Sequence, residues 1–157
     1  MIHFGDKGYF EVGGEKRFDR VKIVEFCREK GIALFDTARK VCRLKDNADD
    51  NFLEIVEGTD VFGLLEQMPE CRMIVTTGGK ASEELQAYFV KKGMMVKIPK
   101  VGEYEDASDN ERGVSLRWWR MPSSSRAYPM KLEKKAECYR RLFEQFDRKM
   151  ALLRRYL

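Results

Sequence analysis

The stretch with the most evident chemistry is Met121-Pro122-Ser123-Ser124-Ser125-Arg126-Ala127-Tyr128. Three successive hydroxyls beside a guanidinium are donors of the kind that hold a phosphate. Lysines follow, among them Lys131 and Lys134. Residues 131–157 carry nine basic and four acidic groups, an excess of +5. The whole chain carries +4, so residues 1–130 sum to −1. A basic face of this kind is the usual electrostatic footprint of a nucleic-acid partner. A solvated helix face accounts for the same charges equally well. Ser123, Ser124 and Ser125 also admit a plain reading as a loop with a helix cap.

Other constellations are weaker. Gly78-Gly79-Lys80 is not a GxxxxGK[ST] phosphate loop, because Ala81 follows the lysine and no glycine stands five places before Gly79. It reads as a strand–helix turn. Cys27, Cys42, Cys71 and Cys138 are widely and irregularly spaced, with no CxxC pair. They are expected to be free thiols in a reducing, cytoplasmic setting. The one histidine is His3, so neither a metal site nor a cofactor is expected. No apolar run approaches the ~18 residues of a membrane span, so no membrane partner is expected.

The elements that must position these residues follow from periodicity. Residues 19–30 carry Val21, Val24 and Cys27, with Ile23 and Phe26 widening the stripe, and Gly31 follows as a helix stop. Ile32-Ala33-Leu34-Phe35 predicts a buried strand ending at Asp36 and Thr37. Residues 38–58 are ambiguous. Thr59 reads as the cap of a helix holding Val61, Leu64, Leu65 and Met68, closed by Pro69. Residues 72–77 predict a second buried strand, and Lys80 to Lys92 a helix capped by Gly93. Met94 to Val101 predict a third strand, and residues 102–113 an acidic surface loop or hairpin tip. Val114, Leu116 and Trp118 alternate as a strand does. Trp118 and Trp119 read as core residues. Pro129 suits the start of a last helix, with Leu132, Ala136, Tyr139, Phe143, Phe146, Met150, Leu153 and Leu157 on one side. That helix would be about 40 Å long at 1.5 Å per residue. Residues 147–157 are therefore expected to overhang the sheet.

Strands alternating with helices predict one α/β domain over residues 1–157. Its expected form is a three-layer α/β/α arrangement with a small, mainly parallel sheet and the long C-terminal helix. Such sheets bind ligands beyond the carboxyl ends of their strands. Asp36-Thr37, Thr77-Gly78-Gly79 and the loop from Met121 to Tyr128 are expected to share that edge.

Taken in order, GIALFDTARKVCRL (31–44), MPECRMIVTTGGKAS (68–82) and WRMPSSSRAYPMKLEKKAECYRRLF (119–143) resemble the uracil-DNA glycosylase superfamily. The resemblance is to its mismatch-type and hypoxanthine-type branch and covers roughly residues 19–145. It implies hydrolysis of the N-glycosidic bond of a flipped uracil- or hypoxanthine-type base, in duplex DNA that carries a damaged or mismatched base. By the family's pattern Pro122, Ser123, Ser124 and Ser125 pinch the DNA backbone, and Arg126 reaches phosphate or the vacated stack. Asp36 lies at the mouth of the base pocket, where a catalytic role would be played. Lys131 and Lys134 add attraction for DNA.

Two features depart from that pattern. In the family a first strand carries a GxxP-type motif with the water-positioning Asp or Asn. Upstream of the matched region this sequence has no such strand and motif, and the 157 residues are expected to be N-terminally incomplete relative to the family. Met121 stands where many members have histidine. Catalysis by these residues is left open. Two alternatives belong to other classes: a non-catalytic nucleic-acid-binding α/β module, and a small interaction domain forming a homodimer through its C-terminal helix.

Overall fold

The computed structural model describes residues 8–15, 17–44, 53–109, 113–123, 125 and 127–153, with side chains left aside at 109, 114 and 147–153. The chain divides into two compact units, Met1–Asp36 and Thr37–Leu157.

In the first unit, α1 spans Arg20–Lys30. Asp19 caps it, its Oδ1 accepting the Val21 and Lys22 amides at 3.0 and 3.1 Å. Gly31 closes it in the left-handed region at φ 64°, where an L side chain would be strained. Phe10 meets Phe26 edge-on at 5.3 Å. The run Ile32–Phe35, expected as a buried strand, is extended but forms no strand, and Leu34 and Phe35 are 72% and 60% exposed. A strand needs a neighbour to pair its backbone groups, and no described residue supplies one here. Apolar content alone did not make it a strand.

The second unit begins with β1 (Ala38–Arg43) and β2 (Leu53–Gly58), an antiparallel hairpin. Val41 stands opposite Ile55 and Arg43 opposite Leu53, with irregular register around Lys40. None of its described residues is fully buried.

Helix α2 (Val61–Gln67) starts after Asp60, not at Thr59 as expected. The Phe62 amide donates to the Tyr88 hydroxyl at 2.9 Å, and that hydroxyl donates to Asp60 Oδ1 at 2.7 Å. A tyrosine from another helix thus relays the capping bond.

Next come β3 (Met73–Thr77), α3 (Gly79–Lys91), β4 (Glu103–Asp109), β5 (Val114–Met121) and α4 (Leu132–Leu153). The strand order is β3-β5-β4, with β3 parallel to β5 and β4 antiparallel to it. The class is mixed α/β, with one mixed and one antiparallel sheet among the described residues. The expectation of a mainly parallel sheet is corrected in two places. Met94–Val101 forms no strand. Pro99 there has no amide to give a ladder. The segment is held instead by side chains, Gln86 Nε2 donating to the Val96 carbonyl at 2.9 Å and Arg120 Nη1 to the Pro99 carbonyl at 3.4 Å. The acidic stretch expected as a surface loop or hairpin tip forms, over Glu103–Asp109, the strand β4, which pairs antiparallel with β5. Its carboxylates are stable there because they face outward and β5 opposes them with cations: Arg117 Nε donates to Asp106 Oδ1 at 3.1 Å. The Arg117 guanidinium also lies 4.0 Å from the Tyr104 ring centroid.

Successive side chains on β5 point to opposite faces. Trp118 packs with Phe62, Leu85, Phe89 and Met94 from α2, α3 and the segment after it. Trp119 packs with Met121 and with Cys138 and Leu142 of α4. On α4 the buried line is Cys138 and Leu142, one helical turn apart, flanked by the half-buried Ala136, Tyr139 and Phe143 of the predicted stripe. The expected overhang of 147–157 lies outside the described side chains.

Candidate nucleic-acid interface

The parallel pair brings two chain reversals together. The Gly78 amide donates to the Met121 carbonyl at 3.0 Å, extending the β3–β5 ladder by one step. Gly78 has φ 89° and ψ 179°, a conformation essentially reserved for glycine. A Cβ on it would lie 3.4 Å from Ser123 Cβ. Gly78 therefore lets β3 turn into α3 directly against the serine loop.

A chain of hydroxyls ties this turn to the core. Trp118 Nε1 donates to Thr76 Oγ1 at 2.9 Å. Thr76 Oγ1 and Ser82 Oγ are 2.9 Å apart, and the Ser82 hydroxyl donates to the Gly78 carbonyl at 2.8 Å. With Ser82 donating onward, the Thr76 hydroxyl proton is left for Ser82 Oγ and for the Trp119 carbonyl at 3.3 Å, so each of the three side chains in this relay has a partner.

The loop is ordered by its own serines and by α4. Ser123 Oγ accepts the Ser125 amide and Ser125 Oγ the Ala127 amide, each at 3.2 Å. The Ser125 and Ala127 amides are thus used inside the turn. The two accepting hydroxyls each keep their own O–H to donate. Lys135 Nζ donates to the Ser125 carbonyl at 2.6 Å and sits 5.3 Å from the Tyr128 ring centroid. The Tyr139 hydroxyl donates to the Pro122 carbonyl at 3.1 Å. Burial, and then the neighbouring Cys138, push the Tyr139 pKa above its ordinary value of 10.0, so the phenol stays a donor at neutral pH.

Of the residues singled out in the sequence, Pro122 is buried beneath the loop, Ser123 is half-buried and Ser125 exposed. Ser124 and Arg126 lie outside the described residues. Lys131 precedes α4 and Lys134 is in its first turn, both exposed. Asp36 is exposed at the end of the first unit, after the run that forms no strand. Lys135 and Tyr139, to which the sequence reading gave no role at the loop, hold it. Their signal was the spacing: Lys131, Lys135 and Tyr139 follow one another at four-residue steps, on one helix face.

No family model, curated protein or solved structure matches the chain. The interface is therefore read from its own geometry. Arg120 adds positive charge near the turn, with Nη2 3.8 Å from where a Gly79 Cβ would stand and Glu83 Oε1 3.9 Å from the same point. Among the described residues no three His, Cys, Asp or Glu side chains cluster as metal ligands, and no helix is long and apolar enough to cross a membrane. A separate cleft of about 410 Å³ is lined by Tyr104 and Trp119 from the sheet and by Arg141, Glu144 and Gln145 from α4, together with Gly102 and Glu103. None of the sequence-predicted site residues lines it.

Proposed function

We propose that this chain is a DNA-binding α/β domain of the uracil-DNA glycosylase superfamily, serving the excision of a flipped uracil- or hypoxanthine-type base. The observation that carries the reading is the seating of Ser123 against the Gly78 turn, where two parallel strands end together. Ligands of α/β sheets bind beyond the carboxyl ends of the strands. The hydroxyl protons of the loop, the N-terminus of α3 and the lysines of α4 give that edge the donors and charge a DNA backbone requires. In this reading Ser123, Ser124 and Ser125 grip phosphate, Arg126 reaches the backbone or the vacated stack, and Asp36 is the candidate catalytic residue that the resemblance implies. The three-layer α/β/α architecture and a cytoplasmic setting, which suits four free cysteines, belong to the same proposal.

Sequestering a base and breaking its glycosidic bond are separate tasks. These residues hold no GxxP strand with a water-positioning carboxylate or amide. The chain as given is therefore expected to bind duplex DNA yet excise uracil and hypoxanthine poorly, since a positioned acid–base group contributes about 10²–10⁴-fold. Single-turnover assays on uracil- and hypoxanthine-containing duplexes test this. Rapid release of either base by the 157 residues would place the catalytic group among them, with Asp36→Asn the first variant to examine. Failure to bind duplex DNA at low salt would overturn the proposal itself.

A further inference from the structure

The sheet has two outer strands, and they differ. On β4 the exposed residues Glu103, Glu105 and Asp106 place carboxylates along the free edge. Charges of this kind block the edge-to-edge pairing that an open strand otherwise invites. On β3 the sequence is Met73-Ile74-Val75-Thr76-Thr77, with no charge, no proline and no irregularity in register. Val75 is 40% exposed.

The phase of the ladder tells which backbone groups face outward. The Arg117 amide donates to the Arg72 carbonyl, and the Gly78 amide to the Met121 carbonyl. In a parallel pair, alternate residues turn both their N–H and C=O toward the same neighbour. Arg72, Ile74, Thr76 and Gly78 therefore face β5, and Met73, Val75 and Thr77 face away from it. Among the described residues no acceptor meets the amides of those three, and the Met73 carbonyl accepts only the Cys71 thiol at 3.4 Å. The inner face of β3 is firmly anchored by Thr76 and by the ladder, so the edge is a rigid template.

We infer that the outer edge of β3 is a docking site for one additional β-strand, supplied by an extended, uncharged, β-branched polypeptide segment. The occupant is a strand because what the edge offers is a row of backbone donors and acceptors at strand spacing, the basis of recognition by strand addition. It is uncharged and β-branched because β3 has no charge to complement and its exposed residues are Val75 and Thr77. A charged segment would lose solvation there and gain no ion pair. This inference is independent of the glycosylase reading.

The test uses the full chain, labelled with ¹⁵N, and a synthetic seven-residue probe of alternating valine and isoleucine with a lysine at each end. On adding the probe, hydrogen exchange at the Met73, Val75 and Thr77 amides is expected to slow by about tenfold or more, while Ile74 and Thr76, already in the ladder, change little. A probe with proline at its centre is expected to give no slowing. Val75→Lys, a guard charge at an exposed position, is expected to abolish the effect with the thermal melt unchanged. Thr77→Lys provides a second variant should the first unfold. The inference is overturned by absence of slowing, or by equal slowing with the proline probe. It is equally overturned if the three amides are as protected as Ile74 in the free chain, or if protection rises with chain concentration alone, which would assign the edge to a second copy.

Discussion

The β1–β2 hairpin and the β3–β5–β4 sheet are both paired along their full described lengths, yet only the sheet has a core. The hairpin has its ladder, a cross-strand valine–isoleucine pair and an exposed Arg39–Glu57 ion pair at 3.6 Å, and buries no residue fully. The sheet has one tryptophan on each face of its central strand, each fixed in its own apolar cluster. A two-stranded ribbon alone is marginal in water, whereas a sheet gains stability where helices cover its faces. The difference teaches that strand pairing sets local geometry here, while burial decides which part holds the serine loop in place.

The comparison is sharpest at its largest expected effect. Trp118→Ala should destabilise by about 3–5 kcal/mol, as large aromatic truncations in cores do. Ile55→Ala in the hairpin should cost well under half of that, because the site is already partly solvated. Urea unfolding of the two variants measures both. Equal losses would mean that the hairpin is as integral to the fold as the sheet.

Next in size is the hydroxyl chain. Thr76→Val removes the acceptor of Trp118 Nε1 and the partner of Ser82 Oγ. Leaving the buried Trp118 Nε1 donor unpaired should cost about 1–3 kcal/mol. The change should also speed hydrogen exchange at the Gly78 amide, which a purely apolar core role would leave alone.

Smaller still is the clamp from α4. Tyr139→Phe should cost about 1 kcal/mol, the net value of an ordinary hydrogen bond. Its raised pKa gives a sign to the pH dependence. The stabilisation is complete below pH 10.0, the ordinary tyrosine value, and is lost as pH climbs through the folded-state value above it. Alkaline melts of the wild type and Tyr139→Phe should therefore converge. Parallel curves would show that the phenol does not hold the loop.

The smallest effect lies at α2. The Tyr88 hydroxyl first, and then the Gly63 backbone amide, hold the Asp60 carboxyl below 3.8. A depressed carboxylate stabilises above its unfolded value, and that contribution fades as pH falls through the lower folded one. Exchange at the Phe62 amide, corrected for intrinsic rates, should rise at acid pH in the wild type and show no such step in Tyr88→Phe.

Legibility in the sequence followed the same division. Helices α1, α3 and α4 announced themselves by spacing and caps, and β5 by the alternation of Val114, Leu116 and Trp118. Those signals are local, so one sequence carries them. Ile32–Phe35 and Met94–Val101 looked equally strand-like, but a strand also needs a neighbour, and pairing partners leave no local trace. β4 was hidden for the opposite reason. Its acidic side chains read as solvent-exposed loop, while the cations that accommodate them sit on β5. At the interface, the serine loop was visible as a motif. Of its supports, Lys135 and Tyr139 left only their four-residue spacing in the sequence, and the Thr76–Ser82 pair was visible only once β3 and α3 were in place.

The proposed function assigns a grip on the DNA backbone to the Ser123 loop at the strand ends. Fluorescence anisotropy with a short duplex bearing one mismatched uracil tests it most directly, using the wild type, Ser123→Ala and Lys134→Ala across a salt series. Wild-type affinity should fall with salt at a log–log slope of about −0.9 for each phosphate neutralised. Lys134→Ala should make that slope shallower by about one contact. Ser123→Ala should weaken binding roughly tenfold or more, as loss of a hydrogen bond to a charged group does, and leave the slope unchanged because no charge is removed. Absence of binding at low salt, or wild-type affinity in Ser123→Ala, would contradict the account.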